Sequence, residues 1–146
     1  MITPCFRSFQ ETPIVLLTEC VNPGLPGLAH DSVQATLRDV WLSATVRDRW
    51  FVGPYWILPD RVSLLACPGR RASAAALWAV RWKTEATHRI NLTTGGGPLW
   101  GDGTPPVPVE SEADYEAKIG AMRAEAARLL DPFCASRFTG ILWQIL

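Results

Sequence analysis

The strongest constraint on this fold is a pair of apolar runs that only two residues separate. The runs read "WFVGPYWIL" and "RVSLLAC", with Pro59 and Asp60 between them. Proline presets the φ angle of a turn, and aspartate bonds its own backbone there. So short a connection joins neighbouring strands in antiparallel fashion. The sequence therefore predicts a two-stranded unit whose second strand begins with Arg61 and Ser63 on the same face.

Two stretches that flank this unit have the spacing of amphipathic helices. The first has Asp31 or Ser32 as its cap and ends near Arg47. The second, residues 73–90, is rich in alanine, and we expect its two tryptophans to pack on the sheet. The apolar stripes of the two helices are Val33, Leu37, Val40, Trp41 and Ala44, and Ala75, Trp78, Ala79, Trp82, Ala86 and Ile90.

The remaining elements are indicated by their boundaries. A buried strand is predicted at 13–21, ahead of a loop rich in glycine and proline. A second such loop contains one short predicted strand at 98–100. Ser111 and Asp114 form a capping box before a third helix, and the C-terminal tail is strand-like. The apolar stripe of the third helix is Tyr115, Ile119, Met122, Ala126, Leu129 and Leu130.

The predicted order is strand, helix, strand, strand, helix, short strand, helix, strand. This order fits a split βαβ, or ferredoxin-like, arrangement, in which helices pack against an antiparallel sheet. The predicted fold class is therefore α+β. The length of 146 residues suits one domain over 1–146.

Composition narrows the classes of function. Acidic and basic residues balance at 14 each, so any DNA binding must come from a local patch of charge. The four cysteines have no C-x-x-C spacing, and we expect reduced buried thiols, with neither a zinc site nor a disulfide framework. No run approaches the roughly 18 apolar residues of a membrane span. The N-terminus has no secretory signal, so we expect a cytoplasmic protein without membrane contact.

The turn and the second strand match a family motif. Residues 58–65 read L-P-D-R-V-S-L-L, which resembles the strand M-P-N/D-H-V-H-L-L of the REP-associated tyrosine transposases, members of the HUH class of single-tyrosine transposases. Residues 81–91 resemble the W-K-S-x-T-x-x-I-N helix of that family. The opening strand, the L-W-Q loop and the final helix also agree in order and spacing. The resemblance covers residues 13–130 and implies an HUH-transposase-like fold.

The resemblance implies a vacant catalytic site. In the family, the two histidines and a side chain of the last helix bind a divalent metal, and a helical tyrosine forms a 5′-phosphotyrosine with DNA. Carried onto this chain, Arg61 and Ser63 stand at the histidine positions, Ala121 at the nucleophile and Glu125 at the third ligand. Arginine has no lone pair for a cation, and alanine has no reactive group. We therefore expect no metal, no other cofactor and no DNA cleavage.

Tyr115 does not rescue the nucleophile. It lies six residues before Ala121 and falls on the apolar stripe of the third helix, which predicts a core role.

Arg61 has two interpretations that the sequence leaves open. Its guanidinium could hold a phosphate where the family holds an ion, or it could pair with Glu125 in a salt bridge of little energetic worth.

A basic face on the second helix is the other candidate DNA contact. Its alternative is an ordinary solvated face. If DNA binds there, the nearby tryptophans favour single-stranded or hairpin DNA, whose splayed bases can stack. The candidate nucleic-acid-binding residues are Arg61, Arg70, Arg71, Arg81, Lys83, His88 and Arg89.

Three functions compete. The preferred hypothesis is an inactive relative of the transposases, homodimeric as the family is, that binds hairpin or single-stranded DNA without cleaving it. The second is a protein-interaction or regulatory module on the same fold, for example one that forms mixed dimers with an active transposase. The third is an enzyme that still cuts DNA with residues outside the family pattern.

Overall fold

The computed structural model describes residues 14–22, 28, 30–94, 99–101, 104–130 and 139–141, which form three helices packed on a five-stranded sheet. The elements are, in chain order, β1 (Val15–Cys20), α1 (Asp31–Arg47), β2 (Trp50–Ile57), β3 (Arg61–Pro68), α2 (Ala75–Thr94), β4 (Val107–Pro108), α3 (Glu112–Leu129) and β5 (Thr139–Ile141). Within this described part of the chain, no helix is long and apolar enough to cross a membrane.

The sheet confirms the predicted α+β fold and its split βαβ connections. The strand order is β4-β1-β3-β2-β5, and every neighbouring pair is antiparallel. Strand β3 lies between β1 and β2, so the connection through α1 skips one strand. The predicted hairpin is confirmed: β2 and β3 pair, and the N–H of Leu58 donates to the carbonyl of Arg61 at 2.8 Å.

Strand β3 separates two hydrophobic clusters. Val62, Leu64 and Ala66 face one cluster, which contains the buried sides of α1 and α2. Leu65 and Cys67 face the other, which contains the buried side of α3. This division follows from the two-residue period of a strand, which sends alternate side chains to opposite faces. The predicted stripe of α1 is buried throughout and that of α2 is buried except for Ala75, which is partly buried. In the third stripe three positions are buried and the other three, Met122, Leu129 and Leu130, are partly buried.

Tryptophan rings fill the cluster under α1 and α2. Trp78 stacks on Trp50 with ring centroids 4.9 Å apart and planes 8° from parallel. Trp82 contacts Trp41 edge to face at 5.6 Å. Such aromatic pairs stabilise by about 0.5–1.5 kcal/mol beyond their area burial. The predicted packing of the two α2 tryptophans on the sheet is thus confirmed.

Helix α3 begins at the predicted capping box. The hydroxyl of Ser111 accepts the N–H of Asp114 at 3.0 Å, and the Asp114 carboxylate accepts the N–H of Glu110 at 3.0 Å. Lys118 donates to the same carboxylate at 2.6 Å from one turn further on. The bond from Lys118, and to a smaller extent the bond from the Glu110 N–H, lower the pKa of Asp114. The charged form of Asp114 is therefore the one that caps the helix.

Several boundaries differ from the sequence-based expectations. The N-cap of α1 is His30, one residue earlier than predicted, because the N–H of Gln34 already donates to the carbonyl of His30. Helix α2 begins at Ala75, two residues later than predicted. The strand expected at 98–100 is only an isolated bridge from Trp100 to Val21.

The short strand of this region is instead β4, in a stretch interpreted as loop. It pairs at the sheet edge with Val15 and Leu16 of β1. An edge position tolerates Pro108, which cannot donate to a ladder.

The cysteine prediction was wrong for Cys67. This residue is disulfide-bonded, whereas Cys20 is a free thiol. Cys5 and Cys134 lie outside the described residues. The absence of C-x-x-C spacing excludes only local pairs, because a fold can join cysteines that lie far apart in sequence.

The C-terminal tail was predicted to be strand-like, and its residues Thr139–Ile141 form the edge strand β5 on β2, which Gly140 permits. A Cβ at Gly140 would lie 2.7 Å from the hydroxyl and 2.8 Å from a ring carbon of Tyr55. We expect Gly140→Ala to lower the free energy of unfolding by about 1–3 kcal/mol, through overpacking. Gly120→Ala is the matched control, because nothing lies within 4 Å of that Cβ on the exposed side of α3. The control should raise stability by about 0.5–1 kcal/mol, since alanine favours helix. Urea unfolding measures both, and equal effects would contradict the close packing of β5.

Candidate functional site

The first two residues of interest lie under α3, as the resemblance implied. Arg61 begins β3 on the face that α3 covers, and Ser63 follows two residues later on the same face. Cys20 stands opposite Arg61 on β1, and Thr18 stands opposite Ser63. The candidate site is therefore a strip across the start of β3 and the end of β1.

Arg61 is paired with Glu125 of α3. Its guanidinium donates to the carboxylate of Glu125 and lies 3.6 Å from the carboxylate of Asp60. Arg128, one turn along α3, donates to the same Glu125 oxygen at 2.7 Å. Two arginines and two carboxylates thus share one strip and balance in charge. The interpretation of Arg61 as a salt-bridge partner of Glu125 matches this geometry.

Ser63 lies deeper than Arg61. It is 2% exposed, and its hydroxyl is 3.3 Å from that of Thr18. On its other side the sheet register places Trp56 of β2. The Ser63 hydroxyl therefore makes its hydrogen bond within the sheet and does not reach the surface.

Ala121 occupies the outer side of α3, one turn before Glu125. It is exposed and offers only a methyl group. The structure thus brings Arg61, Ser63 and the α3 segment 121–125 to one face of the sheet. Among the described residues, no three His, Cys, Asp or Glu side chains are grouped closely enough to hold a metal ion.

Tyr115 is a core residue, as predicted. It is 7% exposed and belongs to the cluster between α3 and the sheet. Burial, reinforced by the charge of Glu116, raises the pKa of Tyr115 to about 12. A rise of about 1.5 Å per residue places its Cα about 9 Å along the helix from that of Ala121. A buried phenol that resists ionisation is poorly suited to attack a phosphate.

Lys83 is held inside the protein. Its ammonium donates to the carboxylate of Glu19 on β1 at 2.8 Å, and the two side chains are 17% and 3% exposed. The indole N–H of Trp100 donates to the Lys83 carbonyl at 3.2 Å. This lysine neutralises a buried acid, so its charge is already compensated within the protein.

Two further cations of α2 are paired with acids of α1 and the loop after it. Arg81 donates to Asp48 at 2.5 Å, and Arg89 lies 2.8 Å from Asp39. The Asp48 side chain is fully buried and also accepts from Arg47 at 3.2 Å. The basic face of α2 is therefore largely neutralised by neighbouring carboxylates.

The remaining candidates, Arg70, Arg71 and His88, are exposed. His88 lines a shallow groove of about 540 Å³ together with Arg81 and Thr84 of α2. Arg70 and Arg71 lie in the loop before α2, at the other end of β3 from Arg61. The seven predicted residues thus do not form one surface.

Sequence reasoning missed Arg49, Arg128 and Thr18. Arg49 is an exposed residue between α1 and β2, next to the loop of Arg70 and Arg71. Arg128 and Thr18 contact predicted site residues directly. The register of β1 on β3 would have identified Thr18, but no local signal in the sequence fixes that register.

Lys83 should act on stability. We expect Lys83→Met to lower the free energy of unfolding by about 3 kcal/mol, because it leaves the buried Glu19 charge unpaired. Adding Glu19→Gln removes that charge and should restore most of the loss. Denaturant unfolding of the single and double variants measures the difference. A Lys83→Met variant as stable as the parent would contradict the pairing.

Tyr115 gives a pH dependence at alkaline pH. Its folded pKa is about 12, above the ordinary value of 10, so the unfolded chain loses the phenol proton first. The contribution of Tyr115 to stability is therefore complete below pH 10 and disappears as pH rises through about 12. Chemical unfolding at pH 9, 10 and 11 should show a steeper decline for the parent than for Tyr115→Phe. Burial also raises the pKa of Tyr55, which remains in both proteins and serves as the internal control. Parallel declines would contradict the assignment.

Comparisons with known proteins identify a structural neighbour. No protein-family model matches the chain, and no curated protein matches it by sequence. Among solved structures, the chain is similar to a REP-associated tyrosine transposase bound to a REP hairpin, with a TM-score of 0.63 and 12% sequence identity. The match covers 88% of this chain and 73% of that one. The chain therefore has a transposase-like α+β fold and a distant structural relationship to that protein.

Proposed function

We propose that this chain is a transposase-like DNA-binding protein that binds hairpin or single-stranded DNA without cleaving it. The observation that carries the proposal is the fold shared with a hairpin-bound transposase over 88% of the chain. The motif strand that the sequence indicated, β3, lies in that fold as a central strand with the candidate site at its start. The proposal includes a homodimer, which follows from the family resemblance.

The lack of cleavage follows from the side chains of the candidate site. A permanently charged guanidinium stands where the family pattern has a metal ligand, and it repels a cation at short range. Ser63 is enclosed by the sheet, and Ala121 supplies no nucleophile. Three substitutions at three separate positions remove both halves of the chemistry, namely the ion and the attacking oxygen.

Stacking of bases on the α2 tryptophans does not contribute to this function. Trp78 and Trp82 are fully buried and contact other aromatic rings. A base cannot reach their faces, so these two tryptophans are not the rings on which splayed bases would stack. Affinity for DNA has to come from phosphate contacts made by exposed cations, and these give strong salt dependence.

A hairpin titration tests the proposal. We expect a fluorescent DNA hairpin with a single-stranded flank to bind at 50 mM NaCl, and its affinity to fall steeply towards 200 mM as counterions return to the phosphates. Fluorescence anisotropy gives both values. A duplex of the same composition without a loop or flank is the control and should bind more weakly. If the hairpin fails to bind at 50 mM NaCl, the proposal is wrong and the second hypothesis, a protein-interaction module, remains. That hypothesis is tested by mixing the protein with an active transposase and measuring mixed dimers.

Cleavage is tested in the same preparation. The protein is incubated with the hairpin and either magnesium or manganese, and the products are separated under denaturing conditions. We expect no covalent protein–DNA adduct. A metal-dependent adduct would overturn the proposal and support the third hypothesis, an active enzyme.

A further inference from the structure

Three exposed arginines occur together at the end of the sheet opposite the candidate site. Arg49 lies in the loop between α1 and β2, and Arg70 and Arg71 lie in the loop between β3 and α2. The candidate site is at the start of β3 and these loops follow its end. Eight residues of strand place the two about 24 Å apart. We call the three residues the arginine cluster.

The two loops are bonded into one unit. The N–H of Gly69 donates to the carbonyl of Arg49 at 2.7 Å, and the N–H of Ser73 donates to the carbonyl of Asp48 at 3.3 Å. The indole N–H of Trp50 donates to the carbonyl of Ser73 at 2.7 Å. The backbones that carry the arginine cluster are therefore fixed relative to each other and to the tryptophan core.

Glycine is required where the loops meet. A Cβ at Gly69 would lie 2.8 Å from the ring of Phe51 and 3.3 Å from the carbonyl of Arg49. A larger residue would clash with the Phe51 ring and crowd the Arg49 carbonyl. Glycine at position 69 therefore permits the close approach of the two loops.

Two members of the cluster have a strained backbone. Arg49 has a φ of 62° and Arg71 a φ of 60°, and among the described residues they are the two non-glycine positions with positive φ. Glycine or asparagine adopts this conformation with less strain than arginine. Strain of this kind persists where the surrounding structure fixes it, and it concentrates at sites with a function.

The cluster also keeps its charge. The nearest acid in sequence, Asp48, is buried and accepts from Arg47 and Arg81. Within the described ranges, no ion pair involves Arg49, Arg70 or Arg71. The arginines of α2 are neutralised, whereas these three present their charge to solvent.

We infer that the arginine cluster binds the backbone phosphates of the DNA. A guanidinium donates two parallel hydrogen bonds to a phosphate, and the three arginines of the cluster are carried on backbones that are bonded to each other. This inference rests on the proposed function and places its main contact away from the basic face of α2. Arg81, Lys83 and Arg89 then have structural roles.

The test separates the effect of the three charges from the effect of changing the three side chains. The triple variant Arg49→Gln, Arg70→Gln and Arg71→Gln loses three charges, and the corresponding triple lysine variant keeps them at the same strained positions. Two single variants, Arg70→Gln and Arg123→Gln, each lose one charge. Arg123 lies on the exposed side of α3, away from the arginine cluster, so Arg123→Gln controls for the change in net charge. Each protein is titrated with the hairpin between 50 and 200 mM NaCl, after thermal unfolding has shown that it is folded.

The salt dependence decides the outcome. Loss of three phosphate contacts makes the negative slope of log K against log salt shallower by about 2.1–2.7, so the parent should lose about 20- to 40-fold more affinity than the glutamine variant over this range. The lysine variant and Arg123→Gln should keep the parent slope. If the parent binds and the glutamine variant has the same slope, or the lysine variant loses as much, the inference fails and the proposed function stands. If the parent does not bind at 50 mM NaCl, both fail.

Discussion

Strand β3 is hydrogen-bonded along both edges and covered on both faces, and the placement of every other feature depends on it. Its even-numbered positions from Val62 to Ala66 enter the tryptophan cluster, while its odd-numbered positions begin with Arg61 and Ser63 under α3. A shift of one residue in register would exchange the two faces and bury Arg61 among indole rings. Burying the guanidinium there would leave its charge unpaired, so the apolar cluster on one face of β3 fixes the polar site on the other.

The ion pair at the candidate site is compatible with both interpretations of Arg61. Both side chains are about one quarter exposed, at 26% for Arg61 and 28% for Glu125. Pairs this accessible to water are worth at most about 1 kcal/mol. A phosphate group could replace Glu125 as the partner of Arg61 at little cost, and Arg128 would retain the displaced carboxylate. Salt bridging in the free protein and phosphate binding in a complex are therefore compatible.

The sequence predicted those features that depend on local spacing. The hairpin at Pro59 and Asp60, the capping box at Ser111 and the three apolar stripes all follow from periods of two or 3.6 residues and from turn chemistry. What it did not predict is non-local. The disulfide at Cys67 and the edge strand β4 both depend on which distant segment the fold places alongside. The position of Arg61 and Ser63 under α3 was predicted because a family resemblance supplied the missing three-dimensional information.

The distribution of charge also depends on residues that are distant in the sequence, and it bears on function. Lys83 and Arg81 looked like a basic face because their acidic partners, Glu19 and Asp48, are 64 and 33 residues away in the chain. In a protein with no net charge, the position of the acids decides which cations remain able to attract phosphate. In this chain the acids neutralise Arg81, Lys83 and Arg89 of α2. Three exposed arginines that no described acid pairs with lie in the loops at the far end of β3.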